Sequence, residues 1–181
     1  MNNQPDLIKD DGQTVYSGKR ISLCVKTLPE NNGISRVHET VQFGEGVAVV
    51  AVVDDKILLV RQFRPSVGRA LLELPAGKVE PGEDLRIAAA RELREEAGLV
   101  DAELTSLVSI WTTPGFCDER IHIFFAKGGV LESNDPDEGE EIDEVVLLPI
   151  GEVWRRIRDG SIDDAKTIVG VSFLKGATGN G

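Results

Sequence analysis

Glu92, Glu95 and Glu96 are the side chains of this sequence best spaced to do chemistry together. With Glu92 at zero on a helical wheel, about 100° per residue puts Glu95 near roughly −60° and Glu96 near about +40°, so the carboxylates share one face. An oxygen-only cluster suits a hard divalent cation such as Mg²⁺, which keeps some of its waters and bridges to substrate phosphates. Leu85, Ala89, Leu93 and Ala97 fall from about +20° to about +140° on the same wheel, so the acidic face borders a stripe that must be buried. Carboxylates in such a place are costly unless a cation neutralises them. The competing reading is a solvated helix face, because a run such as Arg91-Glu92-Leu93-Arg94-Glu95-Glu96 ordinarily makes i,i+4 pairs in water.

The wider spacing decides between them. Gly77-x5-Glu83-x7-Arg91-Glu92-Leu93-x-Glu95-Glu96-x-Gly98-Leu99 fills every specified position of the Nudix signature, with Leu93 and Leu99 as its aliphatic positions. At ordinary residue frequencies a chance match is on the order of one in ten million. The segment thus resembles the Nudix hydrolases. That resemblance implies an α/β/α sandwich with a mixed sheet, and hydrolysis of a nucleoside diphosphate linked to another moiety. It also implies Mg²⁺, or Mn²⁺ in its place, held by Glu92, Glu95 and Glu96 with the carbonyl of Ala76 as a further ligand. Ions so held clamp a pyrophosphate, polarise its phosphorus and make an attacking water more acidic. Arg91, one turn from Glu95, is expected to orient carboxylates rather than touch substrate, with Glu83 as its structural partner.

Outside this box, Arg61-Gln62-Phe63-Arg64-Pro65, Leu72-Glu73-Leu74-Pro75-Ala76-Gly77 and Thr113-Pro114-Gly115-Phe116-Cys117-Asp118-Glu119 with Ile121-His122 are similar to the ADP-ribose pyrophosphatase branch. The resemblance implies a nucleoside diphosphate sugar as substrate, ADP-ribose first, bound by Arg64, Glu73, Gly115 and Phe116. Arg64 offers a pyrophosphate two-pronged contacts; its alternative is to pair with Glu73. The Pro114 loop is either a wall of the cleft or a plain turn. Enzymes of this branch take the base for the attacking water from an acidic loop after the box. Here that loop is Asp137 to Ile142, with Glu140 first, Glu138 second and Glu141 still open. Where some relatives stack an aromatic residue on adenine, the matching position holds His38. His122, flanked by Ile121 and Ile123 on a strand, reads as structural, and Trp111 and Trp154 read as core.

Elements must hold these residues in place. Ile21–Leu28 and Ser35–Phe43 read as a hairpin, Val47–Val53 and Ile57–Phe63 as strands buried on both faces at their centre, and Leu71–Leu74 as a short strand. Glu83–Ala97 is a helix closed by Gly98. Leu104–Thr112, Ile121–Ala126 and Val145–Ile150 read as strands, and Gly151–Arg158 and Asp163–Leu174 as helices. Residues 1 to about 18 and 175–181 look loose. The expected division is residues 1–44 as N-terminal strands that dimerise, 45–175 as the hydrolase domain and 176–181 as a flexible tail. The homodimer, with exchanged strands, is implied mainly by the resemblance.

Composition sets the outer limits. In 181 residues, 20 Lys and Arg against 31 Asp and Glu give −11, which disfavours nucleic acid as a partner. Two cysteines make no disulfide framework and suggest a reducing cytoplasm. No apolar run is long enough to span a membrane, and Met1 to Asp6 lacks the marks of a targeting segment. Other readings are hydrolysis of a different sugar nucleotide such as GDP-mannose, and a non-catalytic nucleotide-sugar sensor, whose expected marks are lost glutamates or a fused DNA-binding domain.

Overall fold

The computed structural model describes residues 12–29, 33–133 and 142–177. The chain divides into two units, one of residues 1–44 with 113–119 and one of residues 45–112 with 120–181.

In the first unit β1 (Gln13–Ser17), β2 (Ser22–Pro29) and β3 (Ser35–Gln42) form an antiparallel sheet in that order. The expected hairpin is β2 with β3, in a register from Ser22 opposite Gln42 to Pro29 opposite Ser35. β1 corrects the expectation of a loose start, since Gln13 pairs with Val25 and Ser17 with Ser22. Every residue of β1 is exposed. A strand held by edge hydrogen bonds alone has no buried face, and so no alternation to read. The Thr113–Glu119 loop adds to this unit. Val41 N–H donates to the Phe116 carbonyl (2.7 Å), Asp118 N–H donates to the Val41 carbonyl (3.1 Å), and Asp118 Oδ1 accepts the Phe43 N–H (2.6 Å).

The second unit contains β4 (Glu45–Val53), β5 (Lys56–Arg64), β6 (Arg69–Glu73), β7 (Ala76–Lys78), α1 (Leu85–Ala97), β8 (Leu99–Val100), β9 (Glu103–Trp111), β10 (Arg120–Lys127), β11 (Val130–Leu131), β12 (Ile142–Pro149), α2 (Ile150–Arg158) and α3 (Ala165–Ala177). The main sheet runs β12-β5-β4-β10-β9, with β6 on β5 and β7 on β4. Only β4 and β10 pair in parallel among the pairings of this sheet. Alternation along the apolar strands feeds two layers. Val47, Val49, Leu58 and Val60 pack with Ala89 and Leu93 of α1. Val50, Ile57 and Leu59 pack with Val153 of α2 and Val171 and Leu174 of α3. Each such side chain contributes about 1.5–3 kcal/mol by leaving water. The result is the expected α/β/α arrangement, with a mixed sheet between helices.

Two further corrections concern local detail. Ala76-Gly77, which lies beyond the expected strand Leu71–Leu74, is itself in a further strand, β7, paired with Ala48 and Val47. Trp111 is not core: it is 56% exposed at the end of the outer strand β9, with the Arg120 guanidinium 5.5 Å from its ring centroid. Trp154 does pack, partly buried, on the second layer. Among the described residues no helix is long and apolar enough to cross a membrane.

Candidate active site

α1 owes its exact span to two caps. Asp84 Oδ1 accepts the backbone N–H of Arg86 (2.9 Å) and Ile87 (3.3 Å), which moves the helix start from the expected Glu83 to Leu85. Gly98, at φ 67°, donates its N–H to the Arg94 carbonyl at 2.9 Å and ends the helix. Between these caps Glu92 and Glu96 turn inward toward β7. Ala76 N–H donates to Glu96 Oε2 at 2.8 Å. A Cβ added at Gly77 would lie 2.0 Å from Glu92 Oε1, so only glycine lets the backbone come this close. Glu92 is 5% exposed and Glu96 2%.

Arg91 ties the acidic face together. Its Nη1 donates to Glu92 Oε1 (2.8 Å) and Glu95 Oε2 (3.1 Å), its Nε to Glu83 Oε1 (3.0 Å) and its Nη2 to the Lys78 carbonyl (3.0 Å). Hydrogen bonding to Glu83 comes first among the causes that raise the Arg91 pKa, and it outweighs burial. The same bond, with the Glu80 N–H, holds the Glu83 carboxyl below its ordinary value. Arg94 adds a contact to Glu95 Oε1 at 3.0 Å.

The side chains as they stand do not form a finished ion cage. Among the described residues no three Asp, Glu, His or Cys side chains converge closely enough to hold a metal. Arg91 Nη1 lies between Glu92 and Glu95 and draws both to itself. The donor chemistry nevertheless fits a hard divalent ion: carboxylate oxygens, two of them on glutamates that are nearly fully buried, lie against a backbone stretch cleared of side chain at Gly77.

Beside this face lies a second cluster. Arg64 grips Glu73 with two bonds, Nε to Oε1 and Nη2 to Oε2, both 2.8 Å. Lys166 Nζ also bonds Glu73 Oε2, and reaches Asp164 Oδ1 at 3.1 Å. Asp164 starts α3 by accepting the Thr167 N–H (2.9 Å), while Thr167 Oγ1 accepts the Leu74 N–H (2.9 Å). Burial pushes the Glu73 carboxyl up, but the Arg64 hydrogen bond and the charge of Lys166 outweigh it and hold the pKa below its ordinary value. For Arg64 the Glu73 bond raises the pKa, burial opposes it, and the charges of Glu73, Glu96 and Asp164 add to the rise. That influence of Glu96 links the two clusters electrostatically.

The NUDIX domain family profile matches residues 42–168. The chain belongs to the Nudix family. It is 36% identical over 165 residues to the ADP-ribose pyrophosphatase of Bacillus subtilis (strain 168), spanning 90% of this chain and 89% of that one. It is 37% identical over 166 residues to the methanol dehydrogenase activator of Bacillus methanolicus, again spanning 90% and 89%. A crystal structure of ADP compounds hydrolase matches with a TM-score of 0.83 at 25% identity, covering 94% of this chain and 95% of that one.

Of the residues singled out from the sequence, the Nudix fold brings Ala76, Glu92, Glu95 and Glu96 to one place and Arg64 with Glu73 beside it. Gly115 and Phe116 belong to the first unit, Phe116 with 58% of its surface exposed. His38 is exposed on β3 opposite Lys26. His122 is buried, with Ser109 Oγ 2.7 Å from Nδ1 and Glu45 Oε1 3.2 Å from Nε2. Glu138, Glu140 and Glu141 lie outside the described residues. Lys166 was missed. Its signal was a cation two residues before the largely apolar run Ile168–Leu174, at a place where a lone charge reads as solvated surface.

Proposed function

We propose that this Nudix protein hydrolyses the pyrophosphate bond of ADP-ribose, releasing AMP and ribose 5-phosphate. The observation that carries the reading is the pair of buried glutamates, Glu92 and Glu96, packed against the Ala76-Gly77 backbone with Arg64 in electrostatic reach. Glu92, Glu95, Glu96 and the Ala76 carbonyl would hold Mg²⁺, with Mn²⁺ as a substitute. When bound, the ion screens the pyrophosphate charge and polarises phosphorus toward water. Arg64 would neutralise a phosphate oxygen, its guanidinium held by both oxygens of Glu73; Gly115 and Phe116 remain substrate-binding candidates on the family resemblance. Glu140, or Glu138 in its place, takes the proton of the attacking water as the new P–O bond forms and the bridging P–O bond breaks. Ile142, the first described residue after that acidic segment, pairs with Gln62 on β5, close in the strand to Arg64.

The exposed apolar residues Val15, Tyr16, Ile34 and Val37 of the first unit support a homodimer formed through its strands. Cys24 and Cys117 are not joined in a disulfide, which supports a reducing cytoplasm. Light scattering on the purified chain tests the dimer; a monomer at micromolar concentration would end that part of the reading.

The substrate is tested with ADP-ribose, GDP-mannose and a panel of dinucleotides in Mg²⁺. AMP and ribose 5-phosphate are the expected products. Cleavage of GDP-mannose but not ADP-ribose would replace the substrate, and binding without turnover of any of them would make the protein a sensor.

A further inference from the structure

We infer that Lys166 is a positioning residue for phosphate recognition: from α3 it holds Glu73, and through Glu73 it sets the orientation and available charge of Arg64. The inference rests on the reading that Arg64 meets a substrate phosphate. The geometry begins with how Arg64 is held. Its Nε and Nη2 are taken by the two Glu73 oxygens at 2.8 Å, so the bidentate grip fixes the guanidinium plane and turns the Nη1 edge away from Glu73. Arg64 keeps 33% of its side chain exposed, whereas Glu73 keeps 2% and Lys166 11%. The exposed end of the cluster is therefore the guanidinium, and its buried end is the lysine.

A carboxylate that served Arg64 alone would match the whole guanidinium charge and leave little to attract an anion. Glu73 instead divides its charge between two cations, because Lys166 Nζ bonds the same Oε2 that Arg64 Nη2 bonds. Lys166 is held in its turn by Asp164, whose other oxygen is fixed by Thr167 at the first turn of α3. The chain of contacts from Asp164 to Arg64 alternates in charge, and each member limits the rotamers of the next. Gly170 packs α3 closely to the sheet, since a Cβ there would meet Leu74 Cδ1 and Val50 Cγ2 at 2.8 Å, so the lysine is carried on a rigid support. Lys166 approaches no reacting atom; it acts through Glu73.

The test uses Lys166→Met, Lys166→Arg, Arg64→Lys and the double variant Arg64→Lys/Lys166→Met, with ADP-ribose and Mg²⁺ and with melting temperatures measured beside the kinetics. Lys166→Met is expected to lower kcat/KM about tenfold, mostly through KM, and Lys166→Arg to recover most of that loss. The double variant is expected to match Arg64→Lys alone, because Lys166 has no effect once its target is replaced. A fall in melting temperature with KM unchanged, or losses that multiply in the double variant, would overturn the inference and leave Lys166 a structural residue. The reading beneath fails separately: there the wild type itself does not cleave ADP-ribose, or Arg64→Lys leaves KM unmoved.

Discussion

The acidic box and the Arg64–Glu73–Lys166 cluster both bury glutamate, and they balance it in opposite ways. In the box one guanidinium, Arg91, is shared among Glu83, Glu92 and Glu95, and Arg94 reaches only the outer carboxylate of Glu95 besides. In the cluster Arg64 and Lys166 face Glu73 and Asp164, cation for anion. A shared cation holds each carboxylate loosely enough for a divalent ion to compete for it. A matched set has no such demand and serves as a brace. The box should therefore govern turnover with little effect on folding, and the cluster should govern folding as well as substrate affinity.

Glu96→Gln is the sharpest way to break this contrast. It keeps the shape and the hydrogen bond from Ala76 while removing a charge from the ion site. Turnover is expected to fall about 10³-fold or more, with the melting temperature within a few degrees of wild type. Normal activity would dismiss the ion assignment, and a large loss of stability would make the box a brace too.

Glu73→Ala probes the other side. It strands two cations in a site where the carboxylate is almost wholly enclosed, so unfolding by urea should show a loss of about 3–5 kcal/mol. A loss under 1 kcal/mol would mean that the cluster is solvated in solution and braces nothing. Gly77→Ala lies between the two regions in effect. The added methyl meets the Glu92 carboxylate, which costs about 1–3 kcal/mol if the helix must shift. Activity should fall with it, because the displaced side chain belongs to the ion site; retained activity with intact stability would mean that Glu92 swings away freely and binds nothing.

The same contrast explains what could be read from the sequence. The box is contiguous, so spacing alone exposed Glu92, Glu95 and Glu96 and the end of α1 at Gly98. The buried strands β4 and β5 were legible because apolar runs have no other soluble use. β1 was invisible, since its residues bury no face, and Trp111 misled because an aromatic at a strand's end can lie flat under an arginine instead of in the core. Lys166 was hidden for a different reason: it meets Glu73 only after the chain has crossed the sheet, a contact 93 residues apart in sequence. Periodicity registers a residue's neighbours along the chain, and not the partner that folding brings to it.

Acid titration gives the smallest expected effect and separates buried from exposed pairing. Glu73 has a native pKa below its ordinary 4.5. The unfolded chain therefore binds the proton more readily, so this group's stabilisation is complete above pH 4.5 and is lost as pH falls through the lower native value. Glu152 is lowered further, to about 2, by hydrogen bonds from Arg155 and Arg156, yet it sits at the surface. Its pairing is screened by water and salt, so its contribution is expected to shrink in 0.5 M salt, where the Debye length falls to about 4 Å, while that of Glu73 persists. Urea unfolding from pH 6 to pH 3 at low and high salt measures both. Relative to wild type, Glu73→Gln should flatten the acid limb at either salt, and Glu152→Gln should flatten it at low salt alone. Equal behaviour of the two variants would show that the Glu73 carboxylate is as open to water as Glu152, and the distinction between matched brace and shared-cation site would lose its physical basis.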